Sequence, residues 1–160
     1  MISDGGAGLP FAKYPGGGRV LLGKRILGTC RHDYGLQYYQ RTHVHTCGYC
    51  GLDLTSSYGI WLNIALDHAL PISVCNKLEI WRDWMDDYSN SVLTCSACNS
   101  FDNRYKPTFS LEKPMFLEEF FTLRDRVFVE RRDRILKAHE REEQFFREKW
   151  CPAKEGNTEG

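Results

Sequence analysis

Asn90-Ser91-Val92-Leu93-Thr94-Cys95-Ser96-Ala97-Cys98-Asn99-Ser100-Phe101-Asp102-Asn103-Arg104-Tyr105-Lys106 is the stretch from which the fold can be read. Cys95 and Cys98 form a Cys-x-x-Cys knuckle, and an amide, Asn99, follows the second cysteine directly. Upstream, Cys47-Gly48-Tyr49-Cys50 repeats the spacing, with Gly48 and Gly51 suited to the tight turn of such a knuckle. Zn²⁺ favours thiolates in a tetrahedron, and each knuckle presents a pair from one turn. Cys47, Cys50, Cys95 and Cys98 therefore read as one structural zinc site, closed because no coordination position is left open. Iron could occupy the same set, but nothing else in the chain argues for electron transfer. His43 and His45 lie near the first knuckle, where four cysteines need no help. Cys30, Cys75 and Cys151 are unpaired by spacing and read as small hydrophobes.

Between the knuckles stands Asp67-His68, at the end of a short apolar run over residues 60–66 that reads as a strand. Pro71 stops regular pairing soon after. Residues 92–94 make a second strand, and the second knuckle launches a short helix from Asn99 to Arg104, closed by Pro107. Asp67 offers a hard carboxylate oxygen and Asn99 a hard amide oxygen, the ligand type of Mg²⁺ or Mn²⁺. His68 can be neutral at working pH and accept a proton from water. Asn103, one helical turn beyond Asn99, is a further candidate ligand. Arg104 and Lys106 either clamp a phosphate or are solvated helix ends. From chemistry alone Asn90 is equally a turn residue capping its own loop.

In order and spacing, Cys47-x-x-Cys50, Asp67-His68 with Pro71 after it, Asn90, and Cys95-x-x-Cys98-Asn99 resemble the HNH nucleases, the ββα-metal family. The likeness covers residues 46–107. It implies an α+β fold: a small ββα-metal core braced by a four-cysteine zinc site, with a long C-terminal helix. It further implies a metal-dependent endonuclease that hydrolyses DNA phosphodiesters to 3′-hydroxyl and 5′-phosphate ends. His68 would be the general base, Asp67 and Asn99 the catalytic Mg²⁺ or Mn²⁺ ligands, and Asn90 the brace of the loop that orients His68. Two features depart from the family. Asn99 stands where His is commoner, making this an His-Asn-Asn variant, and an aromatic insert over residues 72–89 replaces the usual Gly-Gly.

Outward from that core, residues 1–18 read as a Gly/Pro-rich flexible arm, 19–110 as the nuclease domain, 111–150 as a helix packed on it, and 151–160 as a disordered tail. In the insert, Ile80, Trp84 and Tyr88 fall on one helical face. In the C-terminal helix Phe116, Phe120, Leu123 and Val127, with Phe121, Phe128 and Ile135, form a core stripe. Its second half, from Arg131, reads as a charge-laced solvated face. At 160 residues, with 42% hydrophobic residues, the chain can bury a real core. With 21 basic and 21 acidic residues it carries no net charge, so a DNA surface must be a local patch. The region before the first knuckle is the basic one (Lys13, Arg19, Lys24, Arg25, Arg31 and Arg41 against Asp4 and Asp33). No signal peptide and no membrane-length apolar run is apparent, so the expectation is a cytoplasmic protein. A single site of this kind cuts one strand, and a homodimer is one way to cut both. A zinc-stabilised module that binds nucleic acid or protein without turnover is the alternative, and a purely structural zinc protein docking a partner on its long helix is a third.

Overall fold

The computed structural model describes residues 28–101 and 104–151. The expected arm at residues 1–18, Asn103 and residues 152–160 of the expected tail lie outside them.

The first helix among the described residues is α1, Tyr34–Thr42, which closes on His43 in the left-handed region (φ 56°). Gly35, in its first turn, sits so close to Cys30 that a Cβ there would meet the Cys30 carbonyl oxygen at 2.8 Å. The first knuckle follows as a small loop closed by a bridge between Thr46 and Asp53. Gly51 supplies the positive φ (77°) at its turn. Helix α2, Tyr58–Trp61, is a single turn capped by the Ser57 hydroxyl on the Ile60 amide. Strand β1, Ala65–His68, then pairs antiparallel with β2, Ser91–Thr94. The register places Asp67 opposite Val92 and His68 opposite Ser91. Between the strands run α3, Ile72–Lys77, α4, Arg82–Met85, and a 3-10 turn, Tyr88–Asn90. Helix α5, Ser96–Phe101, carries the second knuckle, and α6, Leu117–Phe145, crosses the molecule.

The architecture is α+β: a two-stranded sheet among helices, a four-cysteine cluster and a long C-terminal helix. Several local expectations shift. Ile60 and Trp61 are helical, so the strand starts later and contains Asp67 and His68 rather than ending before them. The insert is not one helix. It breaks at Glu79, which takes φ 52°, and sends Ile80 and Trp84 to one core cluster and Tyr88 to the other. Helix α5 starts three residues earlier than expected, because the knuckle itself is helical from Ser96.

Helix α6 carries the expected stripe on Phe120, Phe121, Val127, Phe128 and Ile135, all buried. Phe116 is not part of it. It caps the helix in extended conformation, out of phase, and is 66% exposed. Nor is the second half wholly solvated, since Arg131 is buried in register with Phe128 and Ile135. Two apolar clusters result. One packs Tyr38, Tyr49, Val92, Phe128 and the knuckle cysteines together; the other joins Leu70, Val74, Met85, Tyr105 and Phe120. Cys75 belongs to the second cluster, but Cys151 is exposed and is no core residue.

Candidate metal centre and catalytic cleft

The knuckles bring Cys47, Cys50, Cys95 and Cys98 together, with their sulfurs all within 4.8 Å of one another. Cys50 and Cys95 are 3.9 Å apart at Sγ, close to the roughly 3.8 Å edge of a tetrahedron with 2.3 Å zinc–sulfur arms. The set can hold a structural metal such as zinc. Backbone amides set its geometry: the Cys98 amide donates to Cys95 Sγ at 3.5 Å within the second knuckle, and Gly48 N–H donates to the Leu93 carbonyl at 2.8 Å, tying the first knuckle to β2. Four thiols this close cannot all ionise without a cation. Cys47 is therefore pulled below the ordinary thiol value, first by a hydrogen bond from Cys50, while Cys98 is pushed above it, first by its bond to Cys47. His43 and His45 stay out of the set; His45 bonds Asp53 at 3.1 Å. A histidine the spacing did not suggest does approach: His139 of α6 places Nε2 3.0 Å from Cys98 Sγ. Its sole sequence signal is its place on α6, four residues beyond buried Ile135.

Asp67, His68 and Asn99 line a common cleft of about 220 Å³, together with Pro71, Tyr105 and Arg131. The strand carries the first two, and α5, packed on β1, carries Asn99. Arg104 and Lys106 are exposed and do not line it; the intervening Tyr105 does. Asn90 is fully buried behind the cleft. Its Oδ1 accepts from the Leu70 amide at 2.8 Å, and its Nδ2 donates to the carbonyls of Leu70 (3.2 Å) and Met85 (2.9 Å).

Asp67 is held by groups that sequence reasoning did not single out. Its Oδ2 accepts from the Tyr49 hydroxyl at 2.5 Å and from Arg131 Nη2 at 3.0 Å. Burial, then the Asp67 charge, raises the Tyr49 hydroxyl well above its ordinary value, so it stays a donor. Arg131 Nη1 also reaches the carbonyls of His68 (2.8 Å) and Ala69 (3.1 Å). Earlier on α6, fully buried Arg124 donates to the Ser89 carbonyl at 2.6 Å. Two α6 arginines seven residues apart thus grip the end of β1 and the turn that leads into β2. The signal for both was a basic residue in phase with an apolar stripe. Finally, His68 Nε2 lies 3.3 Å from Oδ1 of buried Asp86, whose Oδ2 takes Arg82 Nε at 3.1 Å.

None of the hydrogen bonds among the described residues uses Asp67 Oδ1. That oxygen and the Asn99 amide oxygen are of the hard type that Mg²⁺ or Mn²⁺ prefers, and both residues line the cleft. No helix among the described residues is long and apolar enough to cross a membrane. Set against known proteins, the chain matches no protein-family model, no curated protein and no solved structure.

Proposed function

We propose that the chain is a metal-dependent endonuclease of the HNH type, hydrolysing DNA phosphodiesters. The observation that carries the reading is one cleft bearing a carboxylate, an imidazole and a carboxamide, beside a four-cysteine centre. Water attacks phosphorus and gives its proton to His68 while the bond to the 3′ oxygen breaks, and the leaving oxygen takes a proton from solvent to become the 3′-hydroxyl. Asp67 and Asn99 would hold a divalent cation, which when bound would supply Lewis-acid stabilisation of the charge developing on the phosphate and leaving oxygen. Arg131 adds fixed positive charge at the cleft wall, and its bonds to the His68 and Ala69 carbonyls keep the strand end in place.

Supercoiled plasmid with Mg²⁺ or Mn²⁺ tests the reading. Nicking by wild type and a fall of about 10²–10⁴-fold in His68→Ala, with zinc content and DNA affinity retained, is the expected result. One observation favours the alternative of a binding module without turnover: Asp67 already serves an ion pair with Arg131, as a structural carboxylate would. Binding of DNA without cleavage, unchanged in His68→Ala, would establish that alternative.

A further inference from the structure

The aromatic insert over residues 72–89 does more than pack, and the geometry points to Asp86 as the positioning residue for the His68 ring. Asp86 closes α4 as its C-cap, and its side chain is 7% exposed, against 28% for His68. A carboxylate taken out of water must be satisfied by charged or hydrogen-bonding partners. Oδ1 of Asp86 meets His68 Nε2 at 3.3 Å, and Oδ2 accepts from Arg82 Nε at 3.1 Å.

The consequence for His68 is a matter of donors and acceptors. A carboxylate only accepts, so the ring nitrogen facing it must carry hydrogen. In the neutral ring that selects the Nε2–H tautomer and leaves Nδ1 as the lone pair able to take a proton from water. Asn90 sets the spacing. One carboxamide bonds Leu70, two residues beyond His68, and Met85, the residue before Asp86. The segment bearing the imidazole and the segment bearing the carboxylate are thereby tied to the same side chain. The split of the insert into α3 and α4 at Glu79 is what returns the chain to the strand end at Asp86.

The inference rests on His68 being the proton acceptor of the proposed reaction, and the experiment separates the two. In ¹⁵N-labelled protein, imidazole nitrogen shifts should show His68 solely as the Nε2–H tautomer. In Asp86→Asn, whose amide can turn a donor toward Nε2, Nδ1–H should appear. Plasmid cleavage by Asp86→Asn should fall at least about tenfold in kcat, with KM and the Mg²⁺ midpoint unchanged. In a His68→Ala background the same substitution should add nothing. An Nδ1–H ring in wild type overturns the assignment, and needs no variant to fold. So does an Asp86→Asn protein that keeps the wild-type tautomer or rate. Wild-type protein that holds the Nε2–H ring through Asp86 yet never cuts DNA would refute the nuclease and leave the positioning contact standing.

Discussion

Asn90 satisfies three backbone groups with one carboxamide, and Leu70 and Met85 are buried, so no water can substitute. Replacing it with alanine removes the partner of the Leu70 amide and of the Met85 carbonyl, each worth about 1–3 kcal/mol when left unmet, while the Leu70 carbonyl keeps the Cys75 thiol. Asn90→Ala is therefore expected to lose roughly 3 kcal/mol in urea unfolding, besides any loss of cleavage; an unchanged midpoint would mean the loop closes without it. Asp67 and Asn99 are ligand candidates of equal chemical standing but differ in structural cost. Asp67→Ala removes the carboxylate that Arg131 Nη2 meets at 3.0 Å in a buried ion pair, a loss of roughly 3 kcal/mol. Asn99 is exposed, and Asn99→Ala should stay within about 0.5 kcal/mol of wild type. The clean test of metal holding is thus Asn99→Ala. Its cleavage should drop at low Mg²⁺ and recover partly with Mn²⁺, while its unfolding midpoint does not move. Loss of both would show Asn99 to be a structural residue.

Among the elements, α6 unites the molecule, and its two ends behave differently. Phe128 is fully buried and stacks on Tyr49 with ring centroids 5.0 Å apart, directly under the residues that hold Asp67. Phe128→Ala should cost about 3–5 kcal/mol by calorimetry. Phe145, 53% exposed on a stretch where every residue from Glu140 to Cys151 is exposed, should cost no more than about 0.5 kcal/mol when replaced by alanine. The helix, both knuckles and the Asp67-His68 strand were legible because each is written in a short local pattern. Less legible were the contacts that make the site. Arg131, Tyr49 and Asp86 meet the strand end across 64, 18 and 18 residues of sequence. No local periodicity encodes such meetings, although arginines in an apolar stripe do announce that something polar is waiting. Phe116 misled for the opposite reason: its spacing is helical but its backbone is not. The insert misled because three residues at helical spacing were divided by a left-handed Glu79.

For the whole molecule, balanced charge limits how DNA could be held. With 21 basic and 21 acidic residues the chain has no net charge, and Arg124 and Arg131 are committed inside, so phosphate contacts must come from a local patch. Binding should weaken with salt by a log–log slope of only a few units. The metal centre sets the other limit, because its cysteines are core residues. Cys47, Cys95 and Cys98 pack in the same cluster as Tyr49, Val92 and Phe128, so removing the ion opens the core rather than a surface clip. Zinc needs all four sulfurs as thiolates, whereas the metal-free cluster retains protons, Cys98 being held above the ordinary thiol value. Binding must release those protons, so affinity rises with pH and falls as the solution is acidified. Elemental analysis should find about one zinc per chain near neutral pH. Acid or a strong chelator should strip it and abolish the near-ultraviolet circular dichroism of the buried aromatics together, in one transition. Cys95→Ala should follow the same course without acid. A protein that gives up its metal and keeps its aromatic packing would show that the four sulfurs are neighbours in a core that needs no ion.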